Sequence, residues 1–197
     1  MNTIGRWRDL QKVYADMESD PHFAGLRSAG VRLVPGDGPG TVDAAVMLVG
    51  EAPGATENGA GKPFAGASGR MLDQLLDLAG LKRDKVFITH SVKYRPPNNR
   101  TPTPEEMAYG RDYLRREHSI IAPTLTVAIG LTAQMALRQM NATHGLIRPL
   151  GLSNMYVTSV YPPAFGLRYQ KARDWIEIEW ALLGEQIRKL LPALLEE

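Results

Sequence analysis

Between Gly50 and Gly69 the chain carries six glycines, two prolines, a carboxylate (Glu51) placed directly after an apolar run, and a bulky aromatic, Phe64. Glycine-rich loops between strand and helix leave backbone amides open to an anion. Two nucleotide fingerprints nevertheless fail here. Gly59-Ala60-Gly61 leads to Phe64 where a dinucleotide site needs glycine. Gly61-Lys62 is followed by Pro63 where a P-loop needs Ser or Thr, and Thr56 holds that motif's first glycine position. A nucleotide-binding enzyme is therefore disfavoured. A loop that merely needs positive φ angles explains the glycines, but neither Glu51 nor Phe64.

A second stretch, Thr89 to Pro102, sets His90 at the end of an apolar run and follows it with a proline-pinned basic loop. Phosphate binding is a natural role for Lys93, Arg95 and Arg100. Residues 82–100 hold six basic side chains against one acid, so this segment is +5 in a chain whose formal net charge is +2. A surface for a polyanion and an ordinary solvated face are both compatible with that band. A third stretch, Tyr161 to Tyr169, has consecutive prolines and two apolar side chains, Phe165 and Leu167. Such side chains on a stiff loop form either a wedge entering a base stack or a loop folded back on its own core.

Four short apolar runs precede or adjoin these segments, at 44–49, 85–89, 125–129 and 155–160. Continuous apolar runs of this length read as parallel strands buried on both faces. Helical spacing lies around them over 5–20, 69–80, 104–119, 131–141 and 170–190, and Thr103-Pro104-Glu105-Glu106 is a good helix start. The pattern predicts an α/β fold, a three-layer α/β/α sandwich around a four-stranded parallel sheet. Ligands in such sheets bind beyond the carboxyl ends of the strands. The length of 197 residues suits one domain, 1–197, with an N-terminal helix and a linker at Pro35–Gly40 within 1–40 and a core over 41–197. Cysteine is absent, which removes disulfides, thiolate metal sites and a cysteine nucleophile. There is no apolar run long enough to span a bilayer and no secretory signal, so a cytoplasmic location without membrane contact is expected.

Together these loops resemble the uracil-DNA glycosylase superfamily, most closely its family 4. Gly50-Glu51-Ala52-Pro53-Gly54, Glu57, Gly61-Lys62-Pro63-Phe64 and Gly66-Ala67-Ser68-Gly69 look like that family's catalytic and base-stacking loop. Ile88 to Arg100 resembles its base-reading segment, and Tyr161-Pro162-Pro163-Ala164 stands where it has a histidine-proline motif before a leucine wedge. The resemblance covers about residues 44–190. It implies that Glu51 positions or activates water and stabilises positive charge on the deoxyribose. It implies further that Phe64 stacks on an extruded base, that the backbone of Ala52, Pro53 and Gly54 binds the base edge, and that His90 reads it. Tyr161 would donate to the leaving base. The wedge would fall to Ala164, Phe165, Gly166, Leu167 and Arg168.

The sequence departs from family 4 at three places. That family carries an iron–sulfur cluster on four cysteines; here there are none, and Tyr94 stands where one is expected. Trp7, Tyr14, Tyr94 and Tyr113 are candidate fillers of that region, and no cofactor is expected. Asparagine is replaced by His90, and histidine by Tyr161. Two base contacts change while the catalytic loop stays intact, which points to altered substrate choice. The expectation is a monomeric, monofunctional DNA glycosylase acting on a modified pyrimidine, a 5-substituted cytosine or uracil, with a role against foreign phage DNA. The small residues Ala52, Gly54, Ala55, Gly59, Ala60 and Gly61 leave room for a substituent. The alternatives are an ordinary uracil-DNA glycosylase of base excision repair and a catalytically silent DNA-binding relative.

Overall fold

A computed structural model describes residues 2–137, 140–150 and 154–195. The four apolar runs form β1 (Val46–Gly50), β2 (Val86–His90), β3 (Leu125–Ile129) and, after a two-residue β4 (Arg148–Pro149), β5 (Tyr156–Val160). Their order across the sheet is β2-β1-β3-β5-β4. The first four are parallel, as expected. The fifth is an antiparallel edge pairing Arg148 and Pro149 with Val157 and Tyr156. It is too short to show as an apolar run, and a proline is tolerated on an edge strand.

Eight helices accompany the described strands: α1 (Thr3–Ser19), α2 (Ala24–Ser28), α3 (Ala55–Ala60), α4 (Ala67–Ala79), α5 (Pro104–Ile121), α6 (Leu131–Ala136), α7 (Pro163–Arg168) and α8 (Gln170–Leu190). Side chains alternate across a strand, so each strand feeds two cores. Val46, Leu48, Ile88 and Val127 pack with Leu72 and Leu76 of α4 and Trp180 and Ile187 of α8. Met47, Val49, Phe87 and Ala128 pack with Leu10 and Tyr14 of α1, Leu114 of α5 and Ala133 of α6. Both faces are thereby covered, giving the three layers. At the start of α5, Thr103 Oγ1 accepts from the Glu106 amide while Glu106 accepts from the Thr103 amide, the reciprocal cap its sequence predicts.

Other stretches differ from expectation. The glycine-rich loop after β1 contains the short helix α3. The helix predicted over 131–141 ends at Ala136, and positions 138 and 139 lie outside the described residues. The stretch after β5 is not a loop: Pro163 starts the short helix α7, a favoured place for proline. The Pro35–Gly40 segment is packed rather than free. The Val34 amide donates to the Lys93 carbonyl and the Asp37 amide to that of Ile88, both at 2.9 Å, so this strap runs along β2 and its following loop.

The strap carries a testable consequence. Burial pushes the Asp37 carboxyl up to about 6, against the opposing charges of Arg83 and Lys62. A folded-state value above the unfolded one, about 3.9, means the folded protein holds this proton more tightly. The resulting stability is complete below about pH 4 and is lost as pH rises through the folded value. Asp37→Asn is expected to remove that fall. Denaturant midpoints at acidic and neutral pH should draw closer in the variant than in the wild type, and an unchanged difference would rule the assignment out.

Candidate active site

The register levels the strand ends. Gly50 pairs with His90, Val49 with Ala128, and Ile129 with Val160. The segments leaving the four parallel strands therefore meet at one rim. The chain passes from β1 to β2 on one side and later to β3 on the other, so the strand order reverses beside β1. Such a reversal opens a crevice at the carboxyl ends. A cleft of about 450 Å³ lies there, lined by Glu51, Ala52, Pro53, Gly54, Phe64 and His90 together with Ala164, Phe165, Arg168 and Arg100. Residues from all three singled-out stretches thus share one cavity, of a size that suits a small ligand.

Glu51 bridges the reversal point. Its Oε2 accepts from Thr132 Oγ1 at 2.5 Å, and Thr132 is the second residue of α6, after β3. Oε1 has no hydrogen-bond partner among the described residues. Thr132 was not singled out by sequence reasoning; its only signal was its place after the third strand end. Backbone bonds from Ser91 to Gly50 at 2.8 Å and from Val92 to Glu51 at 3.1 Å tie the first and second loops together.

Phe64 is buried and has φ +51°, a left-handed conformation costly for a bulky residue. Three contacts hold it there. Its amide donates to Glu57 Oε1 at 2.5 Å, Arg83 donates to the Pro63 carbonyl at 3.2 Å, and its own carbonyl sits where a side chain at Gly69 would have stood, 1.7 Å from a built carbon. Backbone strain of this kind persists where surroundings over-determine it, and it clusters at functional sites. The Phe64 ring lies over the His90 ring at 5.1 Å, with 25° between their planes. His90 Nε2 is 2.8 Å from Glu57 Oε1. Burial works to raise the Glu57 carboxyl, but the hydrogen bond from His90, with those from the Gly54 and Phe64 amides, outweighs it and holds it below the usual carboxylate range.

The sequence profile of the uracil DNA glycosylase superfamily matches residues 36–184. The chain belongs to that superfamily. The enzyme class that goes with it is DNA glycosylase, a hydrolase of N-glycosyl bonds. Among its relatives, a type-4 uracil-DNA glycosylase of Sulfurisphaera tokodaii is 48% identical over 163 residues, 80% of this chain and 69% of that protein. One from Archaeoglobus fulgidus is 34% identical over 169 residues, 81% and 85% of the two chains. One from Pyrobaculum aerophilum is 42% identical over 132 residues, 67% of this chain and 66% of its own length. The chain thus spans only about two thirds of the Pyrobaculum protein.

An iron–sulfur cluster does not fit this member of the family. It has no thiolate to offer. Tyr94 is buried in an aromatic cluster instead, stacked on Phe23 at 5.0 Å and joined by Met17, Tyr109 and Tyr113. Of the other predicted fillers, Trp7 and Tyr14 belong to the separate core under α1 and α5. No helix among the described residues is long and apolar enough to cross a membrane.

Several assigned roles change with the geometry. Lys93 cannot meet phosphate: it is 1% exposed and its Nζ pairs with Glu117 Oε2 at 2.8 Å. The basic band is not one surface. Lys82 and Lys85 lie at the amino end of β2, opposite the cleft, and Arg83 pairs with Asp73 at 2.8 Å while bracing Pro63. Arg95 is bonded to Asn99 at 2.7 Å, and Arg100, at the cleft rim, is held by both oxygens of Glu106 at 2.7 and 2.8 Å. Arg168 forms no ion pair among the described residues and is the freest cation at the rim. Tyr161 does not line the cleft; the residue is 49% exposed and its ring lies edge-on to His144 at 4.4 Å, which sets it apart from a leaving base. Leu167 is exposed on α7, beside the cleft but not in its lining. Of the small residues read as room for a substituent, only Ala52 and Gly54 line the cavity.

Proposed function

We propose that this chain flips a pyrimidine from DNA into the cleft and hydrolyses its N-glycosidic bond, leaving an abasic site. A base within a duplex is inaccessible to the enzyme, so extrusion comes first. The aromatic face of Phe64 would then hold the base by stacking, worth about 1–3 kcal/mol. The bond between the sugar C1′ and the base nitrogen breaks with its electron pair leaving on the base. Water adds to C1′, and its proton passes to Glu51, whose charge also stabilises the cationic sugar in a site shielded from solvent. The observation that carries this reading is Glu51 at the rim of a cavity shared with Phe64 and His90, its Oε2 held by Thr132 and its Oε1 without a partner among the described residues.

The substrate we favour is a modified pyrimidine, more specifically a 5-substituted cytosine, and a role against foreign DNA follows from such a preference. What supports it is His90 at the strand end where the family's uracil reader is asparagine. Asparagine matches the donor and the acceptor of uracil at once, whereas one face of imidazole offers a single sense. A site built around one polar pairing rejects the analogue that lacks it. Plain uracil is the second reading, favoured by the names of the relatives. Oligonucleotides carrying uracil, cytosine and their 5-substituted forms, scored for abasic sites, separate the two. Faster excision of a 5-substituted cytosine is expected; robust uracil excision with no activity on any cytosine derivative would refute it. His90→Asn should raise uracil excision if His90 is the reader.

A further inference from the structure

Glu57 holds three donors at once. Its Oε2 accepts from the Gly54 amide at 2.6 Å, and its Oε1 from the Phe64 amide and, at 2.8 Å, from His90 Nε2. The two amides occupy one oxygen each, and an amide donates without choice. An ionised carboxylate likewise only accepts. His90 Nε2 therefore carries the hydrogen. In the neutral ring, Nδ1 is then bare and is an acceptor. His90 is 3% exposed, and its Nδ1 is buried without a hydrogen-bond partner among the described residues. A buried polar atom left unpaired is costly and calls for an explanation. This one faces Gly50, where a built side-chain carbon would stand 2.5 Å away. Gly50 and His90 both line the cleft; the missing side chain at Gly50 is what lets the His90 ring pack there, with Nδ1 as its unpaired atom at the cleft wall.

We infer that Glu57 is a specificity-determining positioning residue: by taking the Nε2 hydrogen it turns His90 into an acceptor toward the base, so the site favours an exocyclic amino group over a carbonyl at the same place. The inference rests on the proposed assignment of His90 as reader. A mere brace of the Gly54–Phe64 loop would instead slow every substrate alike.

Two measurements test it. In the unliganded wild-type protein, nitrogen NMR of His90 across a pH series is expected to show Nε2 protonated and Nδ1 bare in the neutral ring. A hydrogen on Nδ1 in that ring overturns the inference whatever the enzyme cleaves, and this arm needs no variant to fold. Excision of cytosine and uracil bearing the same 5-substituent is then compared in wild type, Glu57→Ala, His90→Asn and the double variant. Glu57→Ala frees the ring to take either hydrogen placement, and the cytosine-to-uracil rate ratio should fall about tenfold or more. With asparagine at position 90, the same substitution should leave the ratio unchanged. A uniform loss that cancels in the ratio overturns the inference. If wild type prefers uracil, yet Nδ1 is bare and the ratio depends on Glu57 only when His90 is present, Glu57 keeps its role and the cytosine assignment falls.

Discussion

Glu51→Gln is expected to slow base excision by about 10²–10⁴-fold, the range for loss of a general base, with little change in affinity for DNA. The substitution keeps the size of the side chain and an oxygen able to accept from Thr132, so the architecture at the reversal between β1 and β3 stays intact. In the proposed mechanism it deletes the charge that would face the sugar and the capacity to take a proton from water. Both act in the transition state, so turnover falls while the Michaelis constant holds. Thr132→Val removes only the bond that orients Oε2 and should give a smaller loss of the same kind; Thr132→Ser should recover most of it. Single-turnover kinetics paired with equilibrium binding to an abasic-site oligonucleotide make the comparison. Glu51→Gln cleaving at the wild-type rate would remove Glu51 from the chemistry.

How far the fold could be read in advance follows from where its information lies. The strands are continuous apolar runs because both sheet faces are covered, and such runs are visible without partners. α4, α5 and α8 show because each lays one stripe against the sheet. β4 and α7 do not. Two residues make no pattern, and Pro162-Pro163 looks like a loop although proline suits a first helical turn. The Pro35–Gly40 strap shows its breakers but not the backbone bonds that bind it to β2.

The site divides along the same line. Glu51, Ala52, Pro53, Gly54 and His90 were legible because they cluster at strand ends, and parallel register carries strand ends to one rim; Phe64 was legible as a bulky aromatic in a glycine-rich stretch. Pairings across distant positions were not. Thr132 meets Glu51 across 81 positions and His90 meets Glu57 across 33. Tyr161 was placed by motif alignment, yet the turn into α7 sends its ring toward His144 rather than the cleft. Charge misled most. Residue type gives the sign of Lys93 and Arg83 but not their burial, and burial decides whether a cation meets solvent or an internal partner.

The same distinction governs the stability of the molecule. Lys93→Met is expected to lower the free energy of unfolding by about 3–5 kcal/mol, the usual cost of breaking a buried ion pair from one side. Glu117 is fully buried and accepts from Tyr14, from Thr89 at 3.0 Å and from Lys93 at 2.8 Å. Tyr14 in turn accepts from the Gly36 amide at 2.9 Å, and Lys93 Nζ also donates to the His90 carbonyl. One carboxylate thus joins α1, the strap, β2 and α5 beneath the cleft. Burial first, then the charge and the hydrogen bond of Glu117, raise the Tyr14 hydroxyl well above its ordinary value. With Lys93 gone, that charge stays buried with two hydroxyls as its remaining donors. Typical domains are stable by only about 5–15 kcal/mol, so the loss would be a large share of the total. Lys93→Met/Glu117→Gln, which removes both charges, should recover part of it. Urea midpoints at constant m measure the effect, and the salt dependence of DNA binding supplies the contrary outcome. A Lys93→Met protein as stable as wild type, but with a flatter salt dependence, would return Lys93 to the DNA surface.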